Sequence, residues 1–102
     1  MHNQMLMTTN ESLLVAMDFS PQMAEDETIV SSNDNGSTSV TAVNSAGQPA
    51  AGFVESGSMN IDGQNLQARV EDGVSGEVYT VTFIAATSSG NIIEANLAVT
   101  CE

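Results

Sequence analysis

The sequence predicts an all-β fold, an antiparallel β-sandwich of about seven strands, on three observations. Apolar residues recur at every second position in short runs, the period of a half-buried strand. Clusters of Gly, Pro, Asn, Asp and Ser separate those runs at intervals of roughly 8–12 residues. The one helix signal, at Ser20 and Pro21, is too short for more than a turn. A chain of 102 residues is one domain. Its pattern divides it into an N-terminal arm over residues 1–10 and a sandwich domain over 11–102.

Residues 1–10 are polar, methionine-rich and without periodicity, so we expect a loose, flexible arm that orders only against a neighbour. From Glu11 the pattern changes. Leu13, Val15, Met17 and Phe19 alternate with Ser12, Leu14, Ala16 and Asp18 and predict a first strand. Ser20 followed by Pro21 is an N-cap with proline at the first helical position. The acids Glu25, Asp26 and Glu27 come too late to support a long helix. A short strand centred on Ile29 follows over residues 28–32, and Asn33 to Gly36 is a turn by composition.

Residues 37–44 are rich in β-branched residues, with Val40 and Ala42 on one face, and residues 45–49 turn again. Over 53–61 the apolar residues are interrupted by Gly57, which predicts a bulged or broken strand. Asp62 and Gly63 turn into the next strand, with Leu66, Ala68 and Val70 facing in and Gln67 and Arg69 facing out.

The last third fixes a hairpin register. Tyr79, Val81, Phe83 and Ala85 share one face; Ile93, Ala95, Leu97, Val99 and Cys101 share another. Cross-strand partners point to the same side of a sheet, so apolar residues must lie opposite apolar residues. A two-residue loop at Ser89 and Gly90 would set Ala85 against Glu94, a carboxylate on the core face. A three-residue loop pairs Tyr79 with Val99, Val81 with Leu97, Phe83 with Ala95 and Ala85 with Ile93. That loop wants a left-handed third residue, and Gly90 stands there. Tyr79 enters its strand just after a corner containing Gly73 and Gly76, which resembles the tyrosine corner of immunoglobulin-like sandwiches. The expected fold class is therefore an immunoglobulin-like antiparallel sandwich. With Val81 where antibody domains carry their second cysteine, the inter-sheet disulfide is absent.

Charge removes whole classes of function. Thirteen acids against Arg69 alone give a formal net charge of -12. Such a chain cannot neutralise phosphates, so nucleic-acid binding is not expected. It also lacks the cationic face of a peripheral membrane binder, and no stretch approaches the ~20 apolar residues of a span. Cys101 is the only cysteine, which fits a reducing cytoplasm and reads as a core filler. The acidic surface has two readings: solubility, or complementarity to a basic partner.

Catalytic constellations are missing. His2 is the only imidazole and lies in the arm, far in sequence from Cys101, and no lysine serves a phosphate loop. No enzyme activity and no cofactor are expected. One metal reading stands beside turn chemistry: Glu25, Asp26, Glu27 and Asp34 meeting Asp62, Glu71 or Asp72 around calcium.

Two blocks carry a family resemblance. The stretch LLVAMDFSPQMAEDETI, ending at Ile29, is similar to the opening of fibre-tail adaptor proteins of small tailed bacteriophages. That family often carries Trp at the place of Phe19 and Gly at that of Asp26. The stretch GVSGEVYTVTF from Gly73, with ATSSGN from Ala86, resembles the family's later G-x-x-G-x-x-Y-x-V block and its hairpin. The resemblance covers residues 13–101. It implies a non-enzymatic structural protein of the virion, assembled in the host cytoplasm. It implies several copies per particle and partners among other phage structural proteins: tail, fibre or major capsid protein. A head decoration (capsid cement) protein and a carbohydrate-binding adsorption module are the alternatives. From exposure and flexibility, the residues expected to touch partners are Met5, Leu6 and Met7 in the arm and the loop acids Glu25, Asp26 and Glu27.

Overall fold

The computed structural model describes residues 2–50 and 52–102, with the side chains of His2 and Asn3 outside that description. Met1, counted in the expected arm, and the His2 imidazole therefore lie outside the described residues. Among the described residues, ten strands run in chain order: β1 His2–Met7, β2 Leu13–Asp18, β3 Ile29–Val30, β4 Ser32–Asn33, β5 Gly36–Ser37, β6 Ser39–Val43, β7 Asn60–Asp62, β8 Asn65–Val70, β9 Val78–Thr87 and β10 Ile92–Cys101. The larger sheet has the order β1-β10-β9, with both β3 and β6 pairing to β9. The smaller sheet has the order β2-β8-β7, and β4 with β5 makes a separate two-stranded ribbon.

The alternation read from the sequence explains how the layers meet. Val15 and Met17 of β2 and Leu66, Ala68 and Val70 of β8 are buried from one side. Tyr79, Val81, Phe83 and Ala85 of β9, with Ala95, Leu97, Val99 and Cys101 of β10, are buried from the other. Met7, Phe19, Ile29 and Phe53 belong to the same apolar cluster. The result is an all-β, two-layer sandwich.

The hairpin has the register derived above. Tyr79 pairs with Val99, Val81 with Leu97, Phe83 with Ala95 and Ala85 with Ile93. Its loop is Ser88, Ser89 and Gly90, closed by Thr87 N–H donating to Asn91 C=O at 2.9 Å. Gly90 is left-handed, with φ +89°. The interruption over 53–61 is also present. Glu55 N–H donates to Arg69 C=O and Asn60 pairs with Gln67, while a turn at Ser56 and Gly57 separates the two stretches. The Ser58 hydroxyl accepts the Arg69 N–H at 3.0 Å, standing in for the missing strand partner.

Three expectations are corrected. Residues 2–7 are not a loose arm but strand β1, which orders against the chain's own β10. That pairing is parallel, so the larger sheet is not purely antiparallel. Alternation along β1 was hidden because its outward position 6 is itself apolar: Met7 is buried while Leu6 is 63% exposed. The turn at Ser20–Gln22 is a 3-10 helix whose cap is not Ser20. Instead Asp18 Oδ1 accepts the Ser20 N–H at 2.9 Å.

Candidate partner-binding surfaces

The six residues expected to touch partners separate into two groups. Leu6, Glu25 and Asp26 are exposed, and Met5 is half-buried against the core. Met7 and Glu27 are not on the surface: they are 1% and 4% exposed. Met7 sits opposite Cys101 in the parallel ladder, and both side chains lie against Gly73. An ideal Cβ on Gly73 would stand 2.7 Å from Cys101 Sγ and 3.6 Å from Met7 Cε. Only glycine lets β1 and β10 close on that corner.

Glu27 ties one end of the sandwich together. Its carboxylate accepts the Ala24 N–H at 3.0 Å and an Asn91 amide N–H at 3.1 Å. The Thr87 hydroxyl, with these two donors, holds the carboxyl below its ordinary value of 4.5. Gln64 Nε2 clamps the same turn from outside, donating to Ala24 C=O and Glu27 C=O at 2.9 and 2.8 Å. Asn33 Nδ2 donates to both Thr87 C=O and Asn91 C=O, and Asn35 Nδ2 to Gly90 C=O. The acid expected at a partner thus serves the hairpin loop. Its burial had no signal in the sequence, because Thr87 and Asn91 lie some sixty residues away.

At the opposite end, Val74 N–H donates to the Tyr79 hydroxyl at 2.9 Å. The Tyr79 ring stacks on Phe53 with centroids 3.9 Å apart and planes 10° from parallel. All four aromatic residues, Phe19, Phe53, Tyr79 and Phe83, are buried. A sugar-stacking platform would need some of them at the surface. Among the described residues, no three His, Cys, Asp or Glu side chains come together as a metal would require. No helix among them is long and apolar enough to cross a membrane.

Two outer sheet faces remain, and they differ in charge. On the smaller sheet, Asp18, Asp62 and Arg69 point away from the core, beside Leu14 and Ala16. Arg69 Nη1 donates to Ser12 C=O at 3.1 Å, and its Nε lies 4.0 Å from Glu55 Oε2. On the larger sheet, the register lines up Leu6, Thr100 and Val78, then Gln4, Ala98, Thr80 and Val43. Asn96, Thr82 and Thr41 follow, with Thr82 Oγ1 and Asn96 Oδ1 hydrogen-bonded at 3.0 Å. Glu94, beside Ile84 and Ser39, is the one ionised residue among these described outward positions. Sequence reading passed over this face. Its signal was present: Thr80 and Thr82 of β9 and Asn96, Ala98 and Thr100 of β10 stand at alternate positions, with Glu94 the one acid in that set.

The fold is thus an all-β sandwich whose four aromatic residues are buried between its sheets. The family model for the podophage GP4 fiber-tail adaptor protein gp77 matches residues 7–100. The chain belongs to that family. No curated protein matches the chain.

Proposed function

We propose that this chain is a non-enzymatic structural component of a tailed-phage virion, an adaptor that joins fibre and tail parts through protein–protein contacts. Membership of the fiber-tail adaptor family over residues 7–100 carries the reading. The architecture supports an immunoglobulin-like module. The sheets β2-β8-β7 and β10-β9-β6 have the strand neighbours of the B-E-D and G-F-C sheets of that fold. The Tyr79 hydroxyl meets backbone five residues upstream, as in a tyrosine corner. Leu6, Glu25 and Asp26, with the rim of Met5, are the partner contacts from the sequence reading that stand at the surface. Met7 and Glu27 act by holding β1 and the 24–27 turn in place.

The test is location and copy number. Quantitative mass spectrometry of purified particles, with gold-labelled antibody against the chain, should place a handful to a few dozen copies at the tail. Hundreds of copies over the head would establish the decoration alternative, and none in the particle would overturn the virion assignment.

A further inference from the structure

We propose that the outer face of the larger sheet is the adaptor's docking surface, and that its occupant is a different phage protein presenting a flat uncharged patch rimmed by Lys or Arg. The inference rests on the adaptor reading and adds to it which surface binds and what chemistry it meets. Three observations carry it.

The first is charge. In a chain with 13 acids, the middle of this face has none. Acids stand toward its two ends instead: exposed Glu102 follows Cys101 at the end of β10, and Glu94 lies toward the hairpin loop. Desolvating threonine, alanine and asparagine costs far less than desolvating carboxylates, so the centre is free to become dry.

The second is exposed apolar surface. Leu6 is 63% exposed, and Val78 and Ile92 are each 42% exposed, all on strands of this sheet. Leu6 and Val78 both neighbour Thr100, so they form one patch at one end of the sheet.

The third is size. Strands of ten residues in β9 and β10, flanked by β1 and β6, give a plan area of about 500 Å2. A corrugated face of that plan area is of the order of the ~800 Å2 each partner contributes to a standard interface.

The rim decides between occupants. A second copy would bring carboxylates onto carboxylates, and its one cation, Arg69, is on the other sheet and engaged by Ser12. A basic rim pairs with the acids and steers the encounter.

Ala98→Arg places a charge at the centre of this face, and Ala16→Arg places the same charge on the opposite sheet. In particles assembled with each variant, Ala98→Arg should fall at least tenfold in copies per particle while Ala16→Arg stays near wild type. Glu94→Lys should fall as well and Asp62→Lys should not, and raised NaCl should release wild-type chain from particles. Equal incorporation of Ala98→Arg and Ala16→Arg overturns the proposal while leaving the virion assignment standing. Absence of wild-type chain from particles instead defeats the adaptor reading. If Ala98→Arg fails to fold, hydroxyl-radical footprinting of the wild-type chain decides: Leu6 and Val78 should be protected in particles relative to the free chain, and unchanged labelling overturns the proposal. Sedimentation of the isolated chain should give a monomer; a dimer abolished by Ala98→Arg would assign the face to a second copy and overturn it too.

Discussion

Gly73 is the residue on which the N-terminal strand closes. Its backbone is not left-handed, so conformational freedom is not the reason for glycine there; the reason is the Cys101 sulfur that a Cβ would strike at 2.7 Å. Gly73→Ala should destabilise the fold by about 1–3 kcal/mol, the usual cost of overpacking, measured by urea unfolding. In the double variant Gly73→Ala/Cys101→Ala the two costs should be less than additive, because removing Sγ opens the space. Additive costs would show that the contact is not the constraint. Glu27 gives a pH-dependent counterpart. Its folded-state value is lowered by the Thr87 hydroxyl, the Ala24 N–H and Asn91. A lowered value contributes stability that is present above the ordinary 4.5 and is lost as pH falls through the folded value. Asp18, lowered by the Ser20 N–H, acts in the same direction. Glu27→Gln should therefore flatten the loss of stability below pH ~4.5, read from urea unfolding across the acid range. An unchanged slope would contradict the assignment. These residues mark the limit of legibility. A buried acid and a packing glycine are fixed by partners distant in sequence, and no local pattern announces them.

At the scale of elements, the hairpin was the most legible part of the chain. Apolar faces on both strands and a glycine at the third loop position admitted one register, and β9 and β10 have it. Gly90→Ala should cost about 1 kcal/mol, since φ +89° strains an L-residue, with the register unchanged by nuclear magnetic resonance contacts. Strand β1 was the least legible. It is an edge strand with one buried anchor, Met7, beside half-buried Met5 and exposed Leu6, so the period-two signal never formed. Strand β1, with Met7 opposite Cys101, is a lid on the thiol. Met7→Ala should destabilise by about 2–4 kcal/mol, and Cys101 should then react faster with a thiol reagent under native conditions. Slow, wild-type labelling in that variant would mean that something other than β1 shields the sulfur.

The whole molecule is an elongated sandwich, 40 by 21 by 21 Å, carrying a formal net charge of -12. Like charges at that density oppose compaction, so the melting temperature should rise as NaCl screens them. A flat or falling trend would show that self-repulsion is not a governing term. The same distribution that makes the chain repel itself leaves the outer face of the larger sheet neutral at its centre. That contrast was written in the sequence as threonine and asparagine at alternate positions of the last two strands. It becomes a surface because β1 and β6 extend the same sheet. The most direct measurement is a localised cryo-electron-microscopy reconstruction of the intact particle. Density for this sandwich is expected at the tail, with the β1-β10-β9-β6 face covered by a neighbouring protein whose Lys or Arg side chains approach Glu94 or Glu102. The same face turned to solvent, with the smaller sheet buried in its place, would contradict it.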